Sequence, residues 1–366
     1  MTSDPSRTHD DVRPETFDYI VVGGGSAGSV LAARLSEDPT VSVALLEAGA
    51  MDRSPLIHCP AGIAVLAQTG GSNWGFETVP QAGLGGRRGY QPRGRVLGGS
   101  SAVNAMIYLR GQREDYAHWA ACGNPGWDWD GVRPYFLRAE HNERGADAWH
   151  ATGGPLNVAD LKRPHRVAAA FVEAGRQAGH PINTDFNAER QDGVGWYQVT
   201  QRRGERCSAA QAYLHPHLGQ RPNLSVLTGA HTTRVILEGR RATGVELLRG
   251  ERARQALRAR REVLLCAGAL QSPQLLQLSG IGPAAVLQPL GIPVTHELPA
   301  VGAHLHDHVD VVQVVDTPRV RDLFGLSPVG AWHALQGIVE WQRRRDGPLT
   351  TNFAEAGAFL RSAPGL

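Results

Sequence analysis

The 366-residue sequence is poor in cysteine, in aromatic residues and in lysine. Its four cysteines, Cys59, Cys122, Cys207 and Cys266, lie far apart and form no CxxC pair, which argues against a disulfide framework or a structural zinc site. Lys162 is the only lysine, so nearly every basic residue is an arginine. The net charge is only +2 and the basic residues are spread along the chain, so no nucleic-acid-binding surface is indicated.

Long apolar runs are also missing. No run could span a membrane, and the first fifteen residues are polar and lack the apolar core of a secretory signal. We therefore expect a cytoplasmic protein with a disordered leader over residues 1–15 and no transmembrane segment; peripheral association with a membrane stays open. At 366 residues, with 42% of them hydrophobic, the chain exceeds one ordinary core and predicts two domains.

The most informative segment that is present runs from residue 17 to 28, Phe-Asp-Tyr-Ile-Val-Val-Gly-Gly-Gly-Ser-Ala-Gly. Its β-branched and aromatic start predicts a buried parallel strand, followed by a glycine turn and a helix over 26–35. A second strand, residues 41–47, ends in Glu47. Strand, glycine turn, helix, strand and acid together form the fingerprint of a dinucleotide-binding site.

Each element of this fingerprint has a physical role. Gly23 permits the turn, Gly25 lets the backbone approach the phosphates, and Gly28 lets the helix pack closely on the strand. The helix N-terminus directs N–H groups at a pyrophosphate, while the Glu47 carboxylate can accept the hydroxyl protons of a ribose. The fingerprint alone leaves the choice between NAD(P) and FAD open.

A second glycine-rich segment follows at residues 98–101, Gly-Gly-Ser-Ser. It predicts a loop of exposed backbone N–H groups, a nest that binds anions or an electron-rich ring edge. Arg95 adds a positive charge beside it, and Asn104 can both donate and accept, which suits the uracil-like edge of a flavin. The alternative is an ordinary helix N-terminus with Ser100 or Ser101 as its cap, and the residues alone leave both readings open.

Two segments carry a family resemblance. Residues 94–104, Gly-Arg-Val-Leu-Gly-Gly-Ser-Ser-Ala-Val-Asn, resemble the first signature of the glucose–methanol–choline (GMC) oxidoreductases, and residues 268–282 resemble the second. Residues 73–81 and 301–308 also stand in the family's order, so the resemblance covers the chain from about residue 17 to its end. It implies an FAD-dependent oxidoreductase of EC class 1.1 that acts on CH–OH groups of small-molecule alcohols. The chain looks most like choline dehydrogenases and related bacterial alcohol dehydrogenases.

The resemblance also implies a fold. An α/β fold is expected, with an FAD-binding Rossmann-like domain of the glutathione-reductase type and the start of an antiparallel-sheet substrate domain. We expect the first domain over residues 16–305, with helical inserts of which about 155–222 contribute to the substrate side. Residues 306–366 would begin the truncated substrate domain, with its first strand over 310–316.

The motifs and the resemblance together indicate the site residues. Members with a covalent flavin carry a histidine where this chain has Val103, so FAD is expected to be non-covalent. Trp74 would lie in a lid over the flavin, although plain packing explains it equally well. The candidate cofactor-binding residues are Gly23, Gly25, Ser26, Ala27, Gly28, Glu47, Ala48, Trp74, Arg95, Gly98, Gly99, Ser100, Asn104, Ala105, Met106, Thr232, Ala267 and Gly268.

No catalytic residue is assigned within the chain. The family's catalytic histidine is expected beyond Leu366, and neither His308 nor His333 lies in the matching motif. The run from His304 to His308 has histidines at metal-ligand spacing, yet no metal is expected because the matching family segment is structural. The electron acceptor, oxygen or a quinone-type partner, stays open. A non-catalytic flavin-binding remnant or fragment and an NAD(P)-dependent dehydrogenase are the alternative functions.

Overall fold

The computed structural model describes residues 15–250, 253–315 and 328–363, so the predicted leader lies outside the described residues except for Glu15. The strands are β1 Glu15–Val22, β2 Val43–Glu47, β3 Phe76–Glu77, β4 Tyr90–Gln91, β5 Glu140–Asn142, β6 Leu156–Val158, β7 Gly193–Trp196, β8 Gln201–Arg202, β9 Glu205–Arg206, β10 Leu224–Thr228, β11 Ala230–Glu238, β12 Arg241–Arg249, β13 Ala253–Leu265, β14 Ile281–Gly282, β15 His296–Glu297 and β16 Ala356–Phe359. The α-helices are α1 Ser26–Leu35, α2 Pro55–His58, α3 Ile63–Thr69, α4 Arg113–Ala121, α5 Trp129–Ala139, α6 Arg166–Gln177, α7 Gly268–Leu278, α8 Ala284–Leu287 and α9 Pro328–Arg344.

The chain divides into two compact units. The first contains the described residues up to Met51 together with Arg95–Gly99 and Pro216–Val309. The second contains Asp52–Gly94, Ser100–His215 and the described residues from Asp310 onward. Each unit is therefore assembled from separate stretches of the sequence.

The first unit is built on a six-stranded sheet in the order β10-β2-β1-β13-β12-β11. The strands β10, β2, β1 and β13 run parallel, whereas β12 pairs antiparallel with both β13 and β11. The unit β1-α1-β2 at its centre is the βαβ element that the first motif predicts. The structure confirms the predicted α/β class, and β11 and β12 form a hairpin at one edge of the sheet.

The core of the first unit lies on one face of this sheet. Ile20, Val22, Ala44 and Leu46, which alternate along β1 and β2, are 0 to 4% exposed and pack with Leu275 of α7. Residues two apart on a strand point to the same face, so these side chains form one apolar layer. Full burial of each larger aliphatic side chain is worth roughly 1.5–3 kcal/mol, and the layer fixes where β1 ends and the glycine turn begins.

The second unit contains four two-stranded sheets. Three of them, β3-β4, β7-β16 and β8-β9, are antiparallel, whereas β5-β6 is parallel. The predicted strand over 310–316 is not found: residues 310–315 form no helix or strand, and Asp316 lies outside the described residues. No helix in the described part of the chain is both long and apolar enough to cross a bilayer.

Candidate cofactor site

The glycine turn between β1 and α1 leaves no space for side chains at two positions. Gly23 has φ +100°, and a β carbon there would lie 2.5 Å from the carbonyl oxygen of Cys266. A β carbon on Gly28 would lie 1.9 Å from the carbonyl oxygen of Gly23. Only glycine at both positions lets α1 begin directly against the end of β1.

The N-terminus of α1 is open at its first turn. Gly25 is the N-cap, no side chain caps the helix, and the first turn contains no acid. Ser26 and Ala27 are exposed, and a β carbon on Gly25 would meet no atom closer than 3.9 Å. Because backbone N–H groups and the positive end of the helix dipole meet here, the turn suits an anionic group such as a pyrophosphate.

Glu47, at the end of β2, is 5% exposed, and its carboxylate accepts hydrogen bonds from the backbone of two glycines. Its Oε2 accepts the N–H of Gly24 at 2.9 Å and its Oε1 accepts the N–H of Gly49 at 2.7 Å. Burial raises the pKa of Glu47, against the opposing effect of these N–H groups and of the positive charge on Arg95. Each carboxylate oxygen has a second acceptor position, so the side chain can brace the glycine turn and still accept from a ribose.

The second glycine segment differs from the predicted nest of exposed donors. Gly98 and Gly99 are buried, and their N–H groups donate to the carbonyl oxygens of Gly24 and Val96. Gly99 has φ +54°, and a β carbon there would lie 2.7 Å from the α carbon of Gly25. In the first unit, these two glycines therefore support the turn before α1 and offer no free N–H group of their own.

The remaining candidate residues of the first unit lie outside the glycine turn. Ala48 is half-buried after β2, and Arg95 is exposed. Thr232 on β11 has a buried Oγ1 with no hydrogen-bond partner in the described part of the chain. Ala267 is half-buried, and Gly268, the first residue of α7, has φ +84° with open space where a β carbon would be.

In the second unit, Asn104, Ala105 and Met106 form a loop whose carbonyl oxygens face the protein. The Ala105 oxygen accepts from Asn352 Nδ2 at 2.8 Å, and the Met106 oxygen accepts the N–H of Thr200 at 2.8 Å. Met106 is fully buried with φ +59°, a conformation that the surrounding contacts impose.

Asn104 is exposed, but its amide is not free in both directions. Its Oδ1 accepts the N–H of Met106 at 3.0 Å and Nη1 of Arg206 at 2.9 Å. The end of the side chain that stays available is therefore Nδ2, a donor, whereas the sequence predicts both donor and acceptor character.

Arg206 is a site residue that the sequence analysis missed. It is 2% exposed, and its guanidinium reaches the carbonyl oxygens of Ile57, Ser101 and Asn104 at 2.9, 3.2 and 2.7 Å. Its acceptors come from segments about 100 and 150 residues away along the chain. No local pattern around residue 206 indicates them.

The structure also locates the other second-unit candidates. Ser100 is exposed, and its hydroxyl accepts the N–H of Gly94 at 3.2 Å, so it caps a loop. Val103 is half-buried and directly precedes Asn104. Trp74 stacks on Phe76 with 5.8 Å between ring centroids, a packing contact within the second unit.

The histidine run from His304 to His308 lies in an exposed stretch without helix or strand. Within the described ranges, no three His, Cys, Asp or Glu side chains are placed to hold a metal ion together.

Comparison with known proteins identifies relatives of this site and fold. The chain is 45% identical over 350 residues to an alcohol dehydrogenase [acceptor] of Pseudomonas putida and 43% identical over 355 residues to an oxygen-dependent choline dehydrogenase of Brucella anthropi. Each match covers 95% of this chain and 63% of the relative. The chain therefore spans less than two thirds of the length of these relatives. The solved structure of pyridoxine 4-oxidase from Mesorbium loti matches with a TM-score of 0.73 and 40% identity, over 77% of this chain and 55% of that one.

The family binds FAD, and its solved structures that resemble this chain include an FAD-dependent oxidoreductase from Chaetomium thermophilum, with a TM-score of 0.81 and 29% identity over 93% of this chain and 61% of that one. The family model described as GMC oxidoreductase matches residues 17–310, which include both glycine segments, Glu47 and the loop at Asn104. The chain belongs to the GMC oxidoreductase family.

Proposed function

We propose that this chain binds FAD without a covalent bond and serves an enzyme that oxidises the CH–OH group of a small-molecule alcohol. The observation that carries the proposal is the uncapped N-terminus of α1 behind the glycine turn, in a chain of the GMC family. The relatives named alcohol dehydrogenase and choline dehydrogenase support an alcohol as substrate. FAD would accept the hydride that leaves the alcohol carbon.

The residues of the first unit would hold the ADP half of the cofactor. The N–H groups at Ser26 and Ala27 would face the pyrophosphate, and Glu47 would accept from the ribose. Ala48, Thr232, Ala267 and Gly268 would line the adenosine and phosphate positions.

In the second unit, Asn104, Ala105 and Met106 would face the flavin ring, with Asn104 Nδ2 as a donor. Val103 supports the non-covalent state because an aliphatic side chain offers no atom for a bond to the flavin. Trp74 stays a candidate lid residue. None of the described residues is assigned as the base that takes the alcohol proton.

Cofactor exchange tests the proposal. The purified protein is stripped of small molecules, and its melting temperature is measured with FAD, with NAD and with NADP. We expect a rise with FAD alone; at 100 times the dissociation constant, bound ligand stabilises by about 2.7 kcal/mol. Acid precipitation should then release all yellow colour into the supernatant. A shift with NAD(P) only, or no shift with any of the three, contradicts the proposal, and flavin that stays in the pellet contradicts the non-covalent part.

Three finer points are also proposals. The electron acceptor is oxygen or a quinone-type compound; the relative named oxygen-dependent supports oxygen, and the name of the other relative leaves its acceptor unspecified. A substrate side formed by residues 155–222 and 306–366 follows the family resemblance. A cytoplasmic location is supported by the four cysteines, which are all free thiols.

A further inference from the structure

Among the described residues of the second unit, two arginines are buried, and they differ in how their charge is balanced. Arg110, 4% exposed, donates to Glu140 Oε2 at 2.7 Å, so a carboxylate compensates it. Arg206 has no carboxylate partner among the described residues, and the one acidic group close enough to influence its pKa is the Cys59 thiol. Burial raises the pKa of Cys59, so the thiol is neutral near neutral pH and supplies no counter-charge.

Arg206 is therefore a buried positive charge solvated only by neutral oxygens. Burial lowers the pKa of Arg206 to about 10, which still leaves it protonated at neutral pH. Its Nη2 is buried and has no hydrogen-bond partner in the described part of the chain. Burying a charge without a partner is costly, and such costs are retained at functional sites rather than in ordinary cores.

The bonds of Arg206 also set the direction of the neighbouring peptides. In a planar trans peptide, the carbonyl and the next N–H point in opposite directions. Because Arg206 holds the carbonyl oxygen of Asn104, the N–H of Ala105 points away from Arg206. That N–H has no hydrogen-bond partner in the described residues.

Arg206 fixes the Asn104 side chain as well. With Oδ1 shared between Arg206 and the N–H of Met106, the amide cannot rotate without losing both bonds. Two donors, Asn104 Nδ2 and the Ala105 N–H, are thus left on a loop in which the carbonyl and the side-chain oxygen of Asn104 bind the buried Arg206 cation. Preorganised donors with a positive field behind them stabilise negative charge on a bound group.

We propose that Arg206 is a positioning residue of the flavin site, which orients Asn104 and Ala105 as donors and makes the bound flavin more electron-accepting through its uncompensated charge. The inference rests on the proposed binding of FAD. The inference goes beyond FAD binding because it assigns the electronic tuning of the flavin ring to Arg206. This residue cannot touch the ring, since its Nη2 atom is buried.

Sulfite is the probe for this electronic effect. Its sulfur lone pair forms a bond to flavin N5, and the negative charge that it brings is delocalised onto the ring. The adduct loses the visible flavin absorbance, so its dissociation constant reports how well the site stabilises negative charge, independently of any alcohol.

The FAD-loaded protein is compared with Arg206→Gln, Arg206→Lys and Arg345→Gln. Arg345 is the control because it is a half-exposed arginine of the same unit that pairs with Glu205 at 2.6 Å. We expect Arg206→Gln to weaken sulfite binding at least about ten-fold and to lower the flavin midpoint potential, whereas Arg345→Gln stays within about two-fold of the parent.

The lysine variant keeps a charge that can be titrated. A buried lysine without a carboxylate partner has a lowered pKa, so the ratio of its sulfite affinity to that of the parent should fall as the pH rises from about 6 to about 9.

Parent-like sulfite affinity in an FAD-loaded Arg206→Gln protein overturns the proposal. If that variant does not fold or bind FAD, the lysine variant decides, and a constant affinity ratio across the pH range overturns it. A parent protein that binds no FAD refutes the proposed function. Variants that bind FAD and react with sulfite as the parent does refute only the role of Arg206.

Discussion

At the scale of single residues, Gly28 has the tightest surroundings in the cofactor turn. Because the β carbon of Gly28→Ala would lie 1.9 Å from the Gly23 carbonyl, α1 must move away from β1. We expect this overpacking to cost about 1–3 kcal/mol of unfolding free energy and to weaken FAD retention. Urea unfolding and flavin release measure the two effects. Gly71→Ala is the matched control, since nothing lies within 4 Å of its β carbon; equal effects of both substitutions contradict the assignment.

Individual residues of the site differ in whether the sequence predicts their contacts. Gly23 and Gly28 follow from the motif because their constraints involve backbone only a few residues away or in the adjacent strand. Exposed N–H groups at Gly98 and Gly99 are one of the two readings that the sequence leaves open, and this reading is wrong because their partners lie over 70 residues earlier or in their own loop. Arg206 was missed for the same reason: its role depends on three distant carbonyl groups and on the absence of a carboxylate.

At the scale of secondary structure, strand β5 begins in a buried polar network. Glu140 is fully buried; it accepts from Arg110 at 2.7 Å, and its Oε1 lies 2.9 Å from Nδ1 of His150. His150 also pairs with Asp185 at 2.7 Å through Nε2. The network joins β5 to three segments outside any strand, so its charge state affects the stability of the second unit.

The pH dependence of this network follows from His150. Burial lowers the pKa of His150, but the bonds to Asp185 and Glu140 outweigh it and raise the pKa to about 9. A histidine whose folded pKa is raised stabilises fully below its unfolded pKa, about 6.5, and loses that contribution as the pH rises through about 9. The pKa difference corresponds to at most about 3 kcal/mol.

Urea unfolding at pH values from about 6 to about 9.5 should therefore show a falling unfolding free energy. His150→Gln should be less stable at pH 6 and should lose most of this dependence, while the exposed His296→Gln keeps it. An unfolding free energy that stays flat or rises over the range in the parent protein would contradict a raised pKa of His150.

Element boundaries were predictable where local signals act alone. The helix predicted over 26–35 is α1 as observed, because a glycine turn precedes it and the apolar pattern is regular. The hairpin of β11 and β12 also follows from alternation around Gly239. Helix α7 begins at Gly268, so Pro273 lies inside the helix, although proline favours the first turn. The close packing of α7 on the sheet overrides the local signal of the proline.

At the scale of the whole molecule, one apolar stretch is left uncovered in the described structure. Val309, Val311, Val312, Val314 and Val315 are 77 to 96% exposed in a segment without helix or strand. A run of exposed β-branched side chains is an apolar surface that can pair with another chain. We expect the 366-residue chain to associate as its concentration rises.

Two double variants in this stretch separate the effect of apolar pairing from the effect of charge. Val312→Lys with Val314→Lys removes two exposed apolar side chains and adds two positive charges, so it should shift association to concentrations at least about ten-fold higher. Asp310→Asn with Gln313→Lys changes the charge of the same segment equally and keeps every valine, so it should associate nearly as the parent does. Sedimentation velocity over a concentration series measures both. A parent chain that sediments as a monomer throughout, or equal effects of the two double variants, would exclude pairing through the valines, because only the first variant removes the apolar surface that drives it.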